Sequence, residues 1–119
     1  MLKILAVDDD KAILDVIRFI LEEEGYEVIT LANGNNILDM VKQISPDLIL
    51  LDVMLGGLDG REICKALKAH EQFKKIPVVI ISASHQLSDL LLPGSPDNFL
   101  AKPFDIDHLV QIVKAQLAA

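Results

Sequence analysis

The sequence predicts an α/β fold, a (βα)5 three-layer α/β/α sandwich built on a parallel five-stranded sheet. Three observations carry that prediction. Short apolar runs at Leu2–Val7, Tyr26–Leu31, Asp47–Leu51, Pro77–Ile81 and Asn98–Ala101 alternate with stretches of helical periodicity. Several of these runs are too apolar to tolerate a wet face, so helices must cover both sides of the sheet. The chain has 119 residues, of which 51% are hydrophobic and 24% charged, the size of one domain that buries a core without staples.

The elements follow in order. The first run stops abruptly at Asp8-Asp9-Asp10. Residues 11–24 then place Ile13, Val16, Ile17, Ile20 and Leu21 on one helical stripe, which Gly25 terminates. After the second strand, Asn33-Gly34 marks a turn, and Ile37, Leu38, Val41 and Ile44 form a helical face stopped by Ser45-Pro46. The third strand ends on Asp52. Gly56-Gly57 and Asp59-Gly60 predict a flexible loop before a helix over 61–72. The fourth strand runs into Ser82, and residues 84–92 allow one short helix, crowded by Pro93, Gly94 and Pro96. The fifth strand leads to Lys102-Pro103. The last helix takes Asp105 as its N-cap and is expected to bury Ile106, Leu109, Val110, Val113 and Leu117. Right-handed crossovers and five strands leave few sheet orders, of which 2-1-3-4-5 is the common one.

Composition excludes several functions. Eleven basic against 18 acidic residues give a net charge of −7, the wrong sign for a nucleic-acid surface. No apolar run approaches the ~20 residues of a membrane span, and the first run is too short for a signal-peptide core. A single cysteine makes no internal disulfide, which fits a reducing compartment. The expectation is one acidic, cytoplasmic domain over residues 1–119.

The polar residues then fall in one place. The strands end at their carboxyl edges on Asp8-Asp9, Asp52, Ser82 and Lys102, and this edge is where open parallel sheets bind ligands. In the order 2-1-3-4-5 the first and third strands are neighbours about 4.8 Å apart, so the three carboxylates crowd one another. Two carboxylates about 5 Å apart repel by ~3 kcal/mol at an effective dielectric near 20. Lys102 offers one counter-charge, and a hard divalent cation such as Mg²⁺ would supply the rest. Such a site suits a phosphoryl group, with Ser82 as a small donor and an aspartate as acceptor of an acyl phosphate. This chemistry alone leaves open whether the group is transferred to Asp52 or hydrolysed from something else.

The ordered set Val7-Asp8-Asp9, Pro46-Asp47-Leu48-Ile49-Leu50-Leu51-Asp52, Leu58-Asp59-Gly60, Ser82-Ala83 and Lys102-Pro103-Phe104 resembles the receiver domain of two-component response regulators, a CheY-like, flavodoxin-like fold. The resemblance covers essentially the whole chain. It implies that Asp52 is the phosphoacceptor, taking its group from a sensor histidine kinase or a phosphotransfer protein. Asp9 and Asp52 match direct Mg²⁺ ligands, Asp8 an acid that reaches the metal through water, and the backbone carbonyl of Met54 a third protein ligand. Ser82 and Lys102 match the groups that hold phosphoryl oxygens, and Phe99 the aromatic switch that turns inward when Ser82 engages the phosphate. The Lys102-Pro103 bond is implied to be cis. The usual signalling face is the fourth helix, fifth strand and last helix, which would serve a downstream protein partner, a fused output domain or a homodimer.

Three departures qualify the resemblance. Gly56 stands where many receivers have proline, which implies a looser loop. Phe99 lacks the hydroxyl that an outward hydrogen bond needs. The segment from Ser82 to Gly94 is a few residues shorter than the family pattern and carries Pro93.

Plainer roles are assigned elsewhere. Asp10 reads as the acid at a helix N-terminus, leaving Asp8 and Asp9 for the metal. His70, His85 and His108 have no metal-ligand spacing and read as solvated surface, and Cys64 as a small core residue. Glu22-Glu23-Glu24 reads as a solvated helix end. The leading function is a phosphorylation switch with slow autophosphatase activity, not a turnover enzyme, with no direct nucleic-acid or membrane binding. Two readings compete with it. Asp8-x-Asp10 after an apolar strand superficially matches the nucleophile motif of a haloacid-dehalogenase-type phosphatase, although the chain is short for one. The other is a degenerate receiver acting only as a binding module.

Overall fold

Alternation of strand and helix is realised along the chain in a computed structural model that describes residues 1–55, 57–82 and 96–118. In order come β1 (Lys3–Val7), α1 (Lys11–Glu23), β2 (Glu27–Leu31), α2 (Ile37–Ile44) and β3 (Leu48–Asp52). Two short strands follow, β4 (Met54–Leu55) and β5 (Leu58–Asp59), then α3 (Gly60–Ala69), β6 (Val78–Ser82), β7 (Asn98–Ala101) and α4 (Ile106–Leu117). The five main strands are parallel in the order β2-β1-β3-β6-β7, which is the predicted 2-1-3-4-5 when only the sheet strands are counted. The helix predicted over 84–92, with Pro93 and His85, lies outside the described residues, as does Gly56.

Period-two alternation divides the core between the two faces of the sheet. Ile4, Ala6, Leu48, Leu50, Val79, Ile81 and Leu100 point to one side, where α1 and α4 cover them. Leu5, Val7, Ile49, Leu51, Val78 and Ile80 point to the other and pack with residues of α2 and α3. β3 is buried along its whole length, which explains why it reads as an unbroken apolar run. Among the described residues, no helix is long and apolar enough to cross a membrane.

Several side chains depart from the sequence reading. α1 buries Leu14, Ile17, Ile20 and Leu21, whereas Val16 is half exposed. The apolar stripe is wider than the contact with the sheet, and packing selects the face centred on Ile17 and Leu21. α4 buries Leu109, Ile112 and Val113, while Ile106 in its first turn stays exposed and Val110 and Leu117 are only partly covered. The third helix ends at Ala69 instead of continuing to residue 72. Beyond it His70 stacks on the buried Phe73, with ring centroids 4.2 Å apart, so His70 is less solvated than expected. The segment predicted as a flexible loop contains an antiparallel ribbon, pairing Met54 with Asp59 and Leu55 with Leu58. Cys64 is fully buried, and burial raises its thiol to about 11.

The opposite edge of the sheet is held by its own polar contacts. Asp97 accepts the Val78 amide at 2.8 Å and pairs with Lys68, which also donates to the carbonyl of Ile76 at 2.8 Å. This ties the end of α3 to the starts of β6 and β7, at the ends of these strands opposite the carboxyl edge.

Candidate functional site

Among the described residues, the buried polar or charged side chains are Asp8, Asp52 and Ser82, with 1%, 4% and 5% of their surface exposed. All three lie at the carboxyl edge. Each sits at or just past the carboxyl end of a strand whose preceding four residues are apolar and buried. β1 delivers Asp8, whose amide still donates to Leu31 of β2 at 3.1 Å. β3 delivers Asp52, paired across the sheet with Ile81. β6 delivers Ser82, whose carbonyl accepts the Lys102 amide at 2.9 Å and so fixes where Lys102 leaves β7.

The triple acid divides its labour. The carboxylate of Asp10 caps α1, accepting from the amides of Ala12 at 3.0 Å and Ile13 at 3.4 Å. Asp8 in turn accepts the amide of Asp10 at 2.9 Å, which orients it toward the pocket. Asp8, Asp9 and Asp52 each offer an oxygen, and these atoms all lie within 4.8 Å of one another. Because Asp10 is spent on the helix, the Asp8-x-Asp10 pattern does not place two acids in the pocket. The haloacid-dehalogenase-type reading loses its basis there.

Lys102 closes the arrangement. Its Nζ lies 3.1 Å from Asp8 Oδ2 and 3.4 Å from Asp52 Oδ1. Burial disfavours the ammonium, but the hydrogen bond to Asp8 and the charges of Asp52 and Asp8 outweigh it, so its pKa is raised. Asp52 is also pushed upward, first by burial and then by the negative charge of Asp8, with Lys102 only partly compensating. The pocket therefore carries more negative charge than one lysine neutralises. Its donors are hard carboxylate oxygens in a compact group, the set that suits a small divalent cation with water completing its shell.

Gly60 sets the position of Asp52 from behind. A Cβ built on it would fall on the carbonyl oxygen of Asp52 and lie 2.9 Å from the carbonyl carbon and 3.0 Å from Val53 Cα. The Gly60 amide donates to the Val53 carbonyl at 2.7 Å, and Asp59 caps α3 through the Arg61 amide at 2.9 Å. The hydrogen bond from the Arg61 side chain holds the Asp59 carboxyl below its usual value. Sequence reading placed Gly60 in a flexible loop and missed this contact. The available signal was a glycine opening a helix that its propensity disfavours.

The remaining candidates are less central. Met54 lies two residues beyond Asp52 on β4, with its side chain 74% exposed. Phe99 is half-buried on β7 and packs against the core on the α3 side. The Lys102-Pro103 peptide is cis. His70 and His108 are not among the residues that converge on the pocket, and His85 is outside the described residues.

The comparisons agree with this geometry. The family profile described as "Response regulator receiver domain" matches residues 4–114. A CheY-like response regulator receiver domain protein from Methanospirillum hungatei is 32% identical at a TM-score of 0.87, with 99% of this chain and 94% of that chain covered. The signal receiver domain of a signal transduction histidine kinase from Syntrophus aciditrophicus is 30% identical at a TM-score of 0.89, covering 99% and 91%. A response regulator protein from Thermotoga maritima, solved in complex with Mg(2+)-BeF, is 31% identical at a TM-score of 0.87, covering 98% and 100%. Sheet order, acidic pocket, sequence profile and structural likeness converge, and the chain belongs to the response regulator receiver domains of two-component signal transduction.

Proposed function

We propose that Asp52 is the phosphoacceptor of a phosphorylation switch formed by residues 1–119 as a single receiver domain. The observation that carries this is the buried Asp52 carboxylate, held 3.4 Å from Lys102 with Asp8 and Asp9 beside it. An oxygen of Asp52 attacks the phosphorus of a phosphohistidine on a sensor histidine kinase or phosphotransfer protein. The phosphorus–oxygen bond forms as the phosphorus–nitrogen bond breaks, and the electron pair leaves with the imidazole. Lys102 faces the charge that builds on the phosphoryl oxygens, and the Ser82 hydroxyl donates to another. When bound, Mg²⁺ neutralises charge shared between the incoming group and the pocket. Asp9, Asp52 and the Met54 carbonyl would hold it directly, with Asp8 acting through water. The complex of the Thermotoga relative with Mg(2+)-BeF supports the choice of metal.

Phosphorylated Asp52 draws Ser82 toward it, and Phe99, packed beside β6, follows. This changes affinity for a downstream protein or a fused output domain. Slow autodephosphorylation resets the switch in the cytoplasm, and no substrate is turned over.

Incubation with acetyl phosphate followed by intact-protein mass spectrometry tests the proposal. A Mg²⁺-dependent, base-labile gain of one phosphoryl group is expected. No adduct at early times and under conditions that trap short-lived species would favour the degenerate binding module instead. Lys102→Met should bind Mg²⁺ about tenfold more tightly in a calorimetric titration, because one positive charge leaves the pocket. Equal or weaker binding would mean that the ammonium does not oppose the metal.

A further inference from the structure

We infer that a cleft at the amino edge of the sheet is a docking site for a short acidic segment of a protein partner, anchored by one aromatic side chain. The cleft lies at the edge opposite Asp52, and the inference does not depend on the phosphorylation chemistry. Because β3 and β6 are neighbours, with the Ile49 amide donating to the Pro77 carbonyl at 3.0 Å, the end of α2 and the connection from α3 to β6 come together there. The cleft between them encloses about 510 Å³. Pro46, Phe73 and Ile76 give it an apolar lining, and Lys42, Ser45 and Gln72 bring polar side chains to it. Both the volume and the mixture of an apolar lining with a few polar groups are those of a binding site.

Charge selects the occupant. Although the chain carries −7 overall, residues 61–75 hold five of its eleven basic side chains and only two of its eighteen acids. Lys74 and Lys75 are exposed between the lining residues Phe73 and Ile76, while Lys42 lines the other wall from the last turn of α2. Among the described residues, Lys42 and Lys75 have no ion-pair partner, and Lys74 meets Glu71 at 3.1 Å in an exposed pair of little worth. Asp47, next to Pro46, already accepts the Lys3 amide at 2.8 Å, and the Lys3 ammonium answers the Ile44 carbonyl at 3.4 Å. Ammonium groups on both walls call for carboxylates spaced along a chain, not for one compact anion. The cleft opens between a helix end and a loop, so it offers no long trough for a helix, and an extended segment suits it. A phenylalanine or tyrosine ring of that segment would pack against Pro46 and Phe73. A second copy of this chain seated edge to edge would instead set these lysines against their own equivalents.

The test uses the whole chain and two synthetic peptides of about seven residues. Both carry a central phenylalanine, flanked by glutamates in one and by lysines in the other. Amide chemical-shift changes in two-dimensional NMR follow binding. The glutamate peptide is expected to bind, with shifts at residues 41–46 and 72–76 and an affinity that falls as salt is added. Lys42→Ala should weaken it about threefold, and the pair Lys42→Glu with Lys75→Glu should make the lysine peptide the better ligand. Gln72→Trp, which fills the cleft, should block binding. An unchanged Tm and unchanged shifts elsewhere confirm that these variants fold. Their Mg²⁺-dependent uptake from acetyl phosphate should match the wild type, so failure here is separable from failure at Asp52. No binding, equal binding of both peptides, shifts centred elsewhere, equal displacement by inorganic phosphate at matched ionic strength, or self-association through this edge would each overturn the inference.

Discussion

Asp52→Asn is expected to abolish phosphoryl uptake from acetyl phosphate while raising the thermal midpoint of the metal-free protein. The two effects have different origins. Uptake needs an ionised oxygen that forms the new bond to phosphorus, and the amide is a poor nucleophile with one fewer acceptor for a metal. Stability responds to charge. In the wild type a buried carboxylate faces Asp8 and Asp9, with Lys102 as the nearby cation. Removing one like charge from that group should be worth on the order of 1 kcal/mol, or about 4 °C in Tm for a chain of this size.

The pH dependence carries a defined sign. Because folding raises the Asp52 pKa above its ordinary value of 3.8, the fold favours the protonated carboxyl. The associated stability is present below that ordinary value and is lost as pH rises through the folded one. The gap between the variant and the wild type should therefore be widest near neutrality and close in acid. Saturating Mg²⁺ should reverse the order by stabilising only the wild type. Calorimetry with and without Mg²⁺ at two pH values measures all of this. A variant that still gains a phosphoryl group would move the acceptor elsewhere, and an unchanged or lower metal-free Tm would show that Lys102 already balances the pocket.

Gly60→Ala is expected to destabilise the protein by about 3 kcal/mol or more, lowering Tm by roughly 12 °C, and to slow phosphoryl uptake as well. The new methyl group would collide with backbone, the carbonyl of Asp52 and the Cα of Val53, so no side-chain rotation relieves it. Either α3 moves away and gives up the Gly60–Val53 hydrogen bond, or β3 shifts and takes Asp52 with it. Gly25→Ala is the useful contrast. Gly25 adopts φ +94° with nothing within 4 Å of an added Cβ, so its cost is backbone strain of about 1 kcal/mol and uptake should be normal. If Gly60→Ala left both Tm and uptake at the wild-type level, the packing of α3 behind Asp52 would not position the acceptor.

What the amino-acid sequence determined by itself was the order and type of the main described elements and the edge on which the chemistry sits. Apolar strands that stop on Asp8, Asp52, Ser82 and Lys102 are legible because a charge within those strands would be buried without a partner. Asp10 was separable from Asp8 and Asp9 for a local reason, since a helix N-terminus accepts an acid whatever the rest of the fold does. Local periodicity was weaker at choosing between apolar residues on a wide stripe. Val16 and Ile106 fit their helical patterns as well as Ile17 and Leu109, yet they stay exposed while the latter face the sheet.

Tertiary structure alone decided the contacts between residues remote in the chain. The distance from Lys102 to Asp8 and the approach of Gly60 to the Asp52 carbonyl both depend on how strands and helices settle in a twisted sheet. Hydrophobic burial is non-directional, so an apolar pattern says that a face is covered but not by which neighbour. Close packing then selects one arrangement, and with it the few ångströms that make these carboxylates a site.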